Sequence, residues 1–235
     1  MKGMNIKMGY KKETVEKKVA HRSNRLYQEG CVNYRGKTTD TKELYTEVIS
    51  RLLLSDISLL KKDIKPITRV SSYKVKSHKW HPYEPTAERK EEVFARSLFG
   101  TKLGELEILD YQVPLKDKRN EANKGLGKID LLAWDGNSFV ILELKKPKSP
   151  ETLLRCVLEA YTYLNIVDQK KLAINFGKEG APVRASVLVF EGENSRPYTD
   201  WKCKNQPQVK ALMKALNVGL YTLKSTDDKK VRREV

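Results

Sequence analysis

The chain has 235 residues, with 46 Lys and Arg against 30 Asp and Glu, a formal charge of +16. That length is ample for a buried core and suits one large domain, or a catalytic-sized domain with an accessory segment. With 39% hydrophobic and 32% charged residues the composition lies outside wholesale disorder and argues against a fibrous or repeat protein. No run approaches the ~20 apolar residues of a membrane span, and Lys2, Lys7, Lys11 and Lys12 precede no apolar stretch of the secretory type. A cytoplasmic protein is the expectation. Cys31, Cys156 and Cys203 are odd in number and widely spaced, which reads as ordinary thiols instead of a zinc pair or a disulfide framework.

Residues 1–84 hold 19 basic and 9 acidic residues and form a basic N-terminal extension; neutralising phosphates with such charges favours a polyanion partner. Within it Asp40 and Glu43 have capping-box spacing ahead of Leu44, Val48, Ile49, Leu52, Leu53 and Ile57, which predicts a helix near 41–60. Residues 61–84 mix Tyr73, Trp80 and Tyr83 with Lys74, Lys76 and Lys79 and read as a strand or loop. His78 and His81 sit three apart with no third ligand nearby, so a structural role is expected for both.

From residue 85 to about 225 the pattern becomes a succession of helices and strands. A helix at 86–99 precedes a strand at 105–115, a polar loop at 116–126, and strands at 127–134 and 138–146 joined across Asp135-Gly136-Asn137 as a hairpin. Ser149-Pro150 opens a helix at 151–166. A strand at 184–190, a helix at 206–217 and a strand at 218–223 complete an αβββαβαβ order, ahead of a basic tail at 226–235. An α/β fold with a central mixed sheet flanked by helices follows.

Asp130, Glu143 and Lys145 stand among apolar strand residues. With Gly136-Asn137 as a two-residue loop, Asp130 lies opposite Glu143; with Asp135-Gly136 as the loop, the two are diagonal neighbours on one face. Lys145 shares the face of Glu143 by the period-two alternation of a strand. Two carboxylates side by side in a sheet need a neutralising cation. Asp130, Glu143 and the Leu144 carbonyl offer hard oxygen ligands suited to Mg²⁺, with Mn²⁺ as a substitute. Lys145 is then placed to orient or deprotonate an attacking water and to stabilise charge on a phosphorane.

Ile129-Asp130, followed thirteen positions on by Glu143-Leu144-Lys145, resembles the motif of the PD-(D/E)XK nuclease superfamily, the restriction-endonuclease-like fold, with Ile129 where a Pro often precedes the Asp. The resemblance covers about residues 86–223 and implies an αβββαβ core and a Mg²⁺-dependent hydrolase that cuts DNA phosphodiester bonds, an endonuclease, leaving 5′-phosphate and 3′-hydroxyl ends. It also implies an acidic residue on the helix before the first strand. Glu88, Glu91 and Glu92 compete for that role, and spacing favours Glu92, then Glu91. Glu151, Arg155, Glu159 and Tyr163 form a polar stripe on the helix after the third strand, lacking the Gln common in related nucleases. By resemblance Arg155 binds a substrate phosphate and Glu159 orients it or Lys145, with Tyr163 in support; a surface ladder of charges is the plain alternative. Lys128, Lys146 and Lys148 are candidate contacts to the nucleic-acid backbone.

Gly125-Leu126-Gly127 precedes a strand instead of following one, and Gly36-Lys37-Thr38 has Cys31 where a P-loop needs its first glycine, so neither is a nucleotide-binding motif. Three readings remain: the DNA nuclease, a non-catalytic nucleic-acid-binding or complex-assembly module on the same fold, and an enzyme acting on RNA. A homodimer or a partner protein is the expectation if a single site is to cut both strands.

Overall fold

In the computed structural model, which describes residues 9–22, 25–61, 64–117 and 126–235, the chain is an α/β fold built on one seven-stranded mixed sheet flanked by helices. The elements are α1 (Lys12–Ala20), α2 (Tyr45–Ser55), α3 (Ser58–Lys61), α4 (Lys90–Ser97), β1 (Lys102–Leu103), β2 (Leu106–Pro114), β3 (Lys128–Trp134), β4 (Phe139–Leu144), α5 (Leu153–Ile166), α6 (Gln169–Asn175), β5 (Val183–Phe190), α7 (Arg196–Lys202), α8 (Pro207–Ala215), β6 (Val218–Leu223) and β7 (Arg232–Arg233). The strands lie in chain order. β1 to β4 form an antiparallel meander, β4, β5 and β6 run parallel, and β7 returns antiparallel on β6.

The sequence FVILEL of β4 is buried at every position, as a strand covered on both faces requires. On one face Phe139 and Ile141 of β4 join a core supplied by α5, α8, α2 and the N-terminal residues Val15, Val19, Tyr27 and Val32. On the other, Val140, Leu142 and Leu144 pack with Phe94, Ala95 and Leu98 of the α4 segment. Residues 9–61, read from charge as a basic extension, therefore add apolar side chains to the same core as the sheet. Glu47 of α2 is buried and accepts the Gln208 and Val209 N–H groups at 3.0 Å, satisfying free donors at the start of α8.

Several boundaries differ from the sequence reading. The helix expected at 41–60 is α2 and α3, broken at Asp56, and the capping box does not form. Lys42 has φ 57°, Asp40 instead accepts the Lys12 N–H at 3.0 Å, and Glu43 pairs with Arg51 at 3.0 Å. The helix expected at 86–99 begins only at Lys90, and that expected at 151 begins at Leu153, where the Thr152 side chain accepts the Arg155 N–H at 3.1 Å. The short helices α1, α6 and α7 and the strand β7 were not anticipated. Residues 232–235, read as tail, pair with β6 and are tied to α7: Glu234 accepts from Trp201 Nε1 at 3.0 Å and Lys202 Nζ at 3.1 Å. The polar loop at 116–126, Lys2, Lys7 and Gly125 lie wholly or mostly outside the described residues. His78 takes the structural role expected of it, with Nδ1 2.5 Å from Asp110 Oδ1 and its ring stacked on Tyr111.

Candidate active site

The β3–β4 hairpin pairs Leu131 with Leu142 and Trp134 with Phe139, the register of the loop centred on Gly136-Asn137. Gly136 has φ 97°, a conformation glycine adopts freely at the first central position of a two-residue hairpin turn. Asp135 closes the turn, accepting the Asn137 and Ser138 N–H groups at 2.9 and 2.7 Å. Alternation along β4 from Phe139 and Ile141 then places Glu143 on the face covered by α5, and Lys145 just beyond the strand end joins it there.

Lys145 and Glu143 are both buried, and Lys145 Nζ lies 2.5 Å from Glu143 Oε1, 2.9 Å from Glu151 Oε2 and 3.6 Å from Glu159 Oε2. The polar stripe therefore faces inward. Glu159 also accepts from the Tyr163 hydroxyl at 2.9 Å, and Tyr163 is edge-on to Tyr27 with centroids 5.7 Å apart. Arg155 Nε is 3.3 Å from Glu151 Oε1, so this guanidinium spends part of its charge within the stripe.

Asp130 approaches from β3 at an irregular point. The strand ladder stops at Leu131, and the Asp130 carboxylate reaches over to β4, where Oδ2 accepts the Leu144 N–H at 3.0 Å. Its Oδ1 accepts from Gln112 Nε2 at 2.9 Å. Gln112 has φ 45°, in the left-handed region that is uncommon outside glycine. Tyr111 and Val113 on either side of it pack on opposite faces of the sheet, as do Ile129 and Leu131 on either side of Asp130. The two neighbouring strands thus kink together at Gln112 and Asp130.

Of the acids on α4, Glu91 reaches the site: its Oε1 accepts the Lys146 N–H at 2.9 Å, directly after Lys145. Glu92 turns away and pairs with Arg89 at 3.2 Å, and Glu88 is exposed ahead of the helix. The preference for Glu92 over Glu91 is corrected: Phe94, Ala95 and Leu98, the residues packed on the sheet, stand three, four and seven positions after Glu91, so it is Glu91 that shares the sheet-facing side. Lys128, Lys146 and Lys148 are exposed. Glu151 and Gln112 were not singled out as site residues. Glu151 was visible as a member of the stripe, whereas a left-handed glutamine leaves no mark in a sequence.

The electrostatics follow from one buried ammonium serving the buried Glu143 and the half-buried Glu151 and Glu159. Burial, with the negative charges of Glu159 and Glu91, pushes the Asp130 carboxyl up to about 7, although Lys145 opposes the shift. Burial and the charge of Glu159 hold Glu143 well above the usual carboxylate range. Burial would lower Lys145, but Glu143, Glu159 and Glu151 outweigh it and keep the amine protonated. The cluster is therefore short of positive charge. Two carboxylates, Asp130 and Glu143, match a hard divalent cation in donor type and in missing charge. Among the described residues, no group of three His, Cys, Asp or Glu side chains is arranged to hold a metal.

No protein-family model, curated protein or solved structure matches this chain. Among the described residues no helix is long and apolar enough to cross a membrane.

Proposed function

We propose that the chain is a Mg²⁺-dependent DNA endonuclease with a restriction-endonuclease-like core. The observation that carries this reading is the buried contact of Lys145 with Glu143, set beside Asp130 in a cluster lacking positive charge. The order α4-β2-β3-β4-α5-β5 supports it as an αβββαβ unit, and the net charge of +16 suits a polyanionic substrate.

Asp130 and Glu143 would hold the cation, with the Leu144 carbonyl as a third oxygen, and the bound cation would supply positive charge to a phosphoryl oxygen and to the attacking water. Gln112 and the Leu144 N–H fix the Asp130 carboxylate from two sides. Glu143, Glu151 and Glu159 fix the Lys145 ammonium, which orients the water and stabilises negative charge developing on the phosphorus oxygens. Glu91 holds the Lys146 backbone and so the strand end that carries Lys145. Lys128, Lys146 and Arg155 are available to flanking phosphates.

A second reading, a binding or assembly module without hydrolysis, draws on Lys145 being held by three acids and on there being, among the described residues, no third side chain that joins Asp130 and Glu143 in a metal-holding group. Incubating supercoiled plasmid, single-stranded DNA and RNA with the protein in Mg²⁺, Mn²⁺ or EDTA, beside an Asp130→Ala, Lys145→Ala variant, separates the readings. Metal-dependent cleavage lost in the variant is the expected result. Binding without cleavage in any metal would favour the module, and cleavage confined to RNA would replace the substrate.

A further inference from the structure

Lys145 is surrounded by acids, but a second group of cations close to it is not. Past β4 the chain runs Lys145-Lys146-Pro147-Lys148, so the Lys148 backbone lies within about 11 Å of Lys145. Lys148 there lines a cleft of about 440 Å³ together with Arg35, Arg196, Asn194 and Glu193. A neighbouring cleft of about 340 Å³ shares Lys148, Asn194 and Glu193 and is also lined by Ser195. Both open beyond the carboxyl ends of the parallel strands β4 and β5, where ligands of α/β sheets commonly sit.

The lining of the first cleft is unbalanced toward positive charge. Three cations, Arg35, Lys148 and Arg196, face the single carboxylate of Glu193. Among the described residues Lys148 has no hydrogen bond or ion pair, and Arg35 makes one long contact, Nη2 to the Pro150 carbonyl at 3.5 Å. Arg196 is anchored instead: it donates to the Tyr34 carbonyl at 2.9 Å and the Asn33 carbonyl at 3.4 Å, and its Nε lies 3.9 Å from Asp200. Ser195 supplies an independent sign of a missing partner. It is 2% exposed, and its Oγ is buried with no hydrogen-bond partner. Buried hydroxyls are nearly always satisfied, so this orphan, on the neighbouring cleft where Lys148 and Lys224 balance Glu191 and Glu193, calls for an acceptor from outside at the border of the basic cleft. Lys148 moreover holds φ 60°, a conformation that costs a non-glycine residue energy.

We propose that the first cleft, where Lys148 and Asn194 join it to the Ser195 side, is a phosphate subsite: it takes a backbone phosphodiester of the nucleic acid flanking the one at the Asp130 and Glu143 cluster. Arg35 and Lys148 contact the phosphate oxygens, Arg196 supplies fixed positive charge, and the Ser195 hydroxyl donates. The inference rests on the nucleic-acid reading above and adds where the strand runs after it leaves the carboxylates, across the β4–α5 and β5–α7 loops.

The test is binding in EDTA, which needs no cleavage. Anisotropy of labelled single-stranded and duplex oligonucleotides is followed against salt for the wild-type chain, Ser195→Ala, the Arg35→Ala, Lys148→Ala double variant, and Lys214→Ala, an exposed control on α8; thermal unfolding establishes that each is folded. The double variant should bind about tenfold more weakly with a salt slope shallower by about 1, and Ser195→Ala, which leaves the charge unchanged, about threefold more weakly. Lys214→Ala should bind as wild type. Equal binding by all variants would overturn the subsite while leaving the nuclease reading intact; a wild-type chain that binds no oligonucleotide would overturn both. In a parallel arm, inorganic phosphate is titrated against thermal stability. Stabilisation of wild type but not of the double variant, with oligonucleotide affinity unchanged between them, would assign the cleft to a free phosphate and overturn the backbone commitment.

Discussion

Gln112 on β2 donates a 2.9 Å hydrogen bond to Asp130 on β3 from a backbone held at φ 45°. A left-handed conformation costs a non-glycine residue about 1–2 kcal/mol, and such strain gathers where a side chain must be aimed. Two substitutions separate aim from strain. Gln112→Ala loses the hydrogen bond and keeps the strain, whereas Gln112→Gly loses both. Urea denaturation should therefore find Gln112→Gly more stable than Gln112→Ala by about 1 kcal/mol, while the two cleave DNA equally and more slowly than wild type. A glycine variant with wild-type activity would remove Gln112 from any role in placing Asp130.

Lys145 is the cation of a buried cluster, so its removal does more than delete a contact. In Lys145→Met the acids Glu143, Glu151 and Glu159 face one another without it, and destabilisation of about 3 kcal/mol is expected. Adding Glu143→Gln to that variant removes one of the uncompensated acids. The double variant should be less destabilised than the sum of the singles, by at least about 1 kcal/mol, when the four proteins are compared by chemical denaturation. Additive effects would mean that the two groups do not share a charge balance.

Much of this site was legible before the fold was known, because it rests on local periodicities. Asp135-Gly136-Asn137 sets the hairpin register, and alternation in β4 carries Glu143 and Lys145 to one face. Spacing by four brings Glu151, Arg155, Glu159 and Tyr163 into one stripe, of which only Glu159 was expected near Lys145; Glu151 and Glu143 meet it as well. What escaped depends on tertiary structure. The kink at Gln112 and Asp130 breaks the alternation that makes strands readable. The choice between Glu91 and Glu92 is made by which side of α4 docks on the sheet, that of Phe94, Ala95 and Leu98, and the start of α4 at Lys90 follows no capping residue, since Arg89 offers no side-chain cap. Helices α6 and α7 have seven residues each, too short for apolar periodicity to stand out. Burial of the N-terminal segment was masked by its charge, although Val15 and Val19 stand one helical turn apart and both face the core.

Asp135 gives a pH dependence outside the site. Burial alone would raise its carboxyl, but the Asn137 and Ser138 N–H groups, the Ser138 hydroxyl and the Arg184 guanidinium hold it well below the usual range. Arg184 lies 2.8 Å from it. A carboxyl whose pKa is depressed by folding stabilises the native state above its unfolded value near 4, and that stability is lost as pH falls through the folded value. Asp135→Asn should thus cost about 2 kcal/mol at pH 6, with the difference from wild type shrinking steadily below about pH 4. Urea midpoints for both proteins between pH 6 and pH 2.5 check this. A constant difference would show that the charge of Asp135 contributes nothing and that only the shape of the turn matters.

Gly127 is required by what lies next to it, not by its backbone angles. A β-carbon added there would sit 2.2 Å from the Tyr163 hydroxyl oxygen and 3.3 Å from Cζ. That hydroxyl is the group that donates to Glu159, one of the acids around Lys145. In Gly127→Ala the tyrosine must move, at a cost of about 1–3 kcal/mol for forced repacking, and Glu159 loses its donor. Tyr163→Phe removes the clashing oxygen and leaves a tight but tolerable contact with the ring. The Gly127→Ala change should therefore be much milder in the Tyr163→Phe background than in wild type, a coupling read directly from a double-mutant cycle of unfolding free energies. Equal costs in the two backgrounds would mean that the β3 entry shifts as a whole, instead of the tyrosine yielding to the new methyl group.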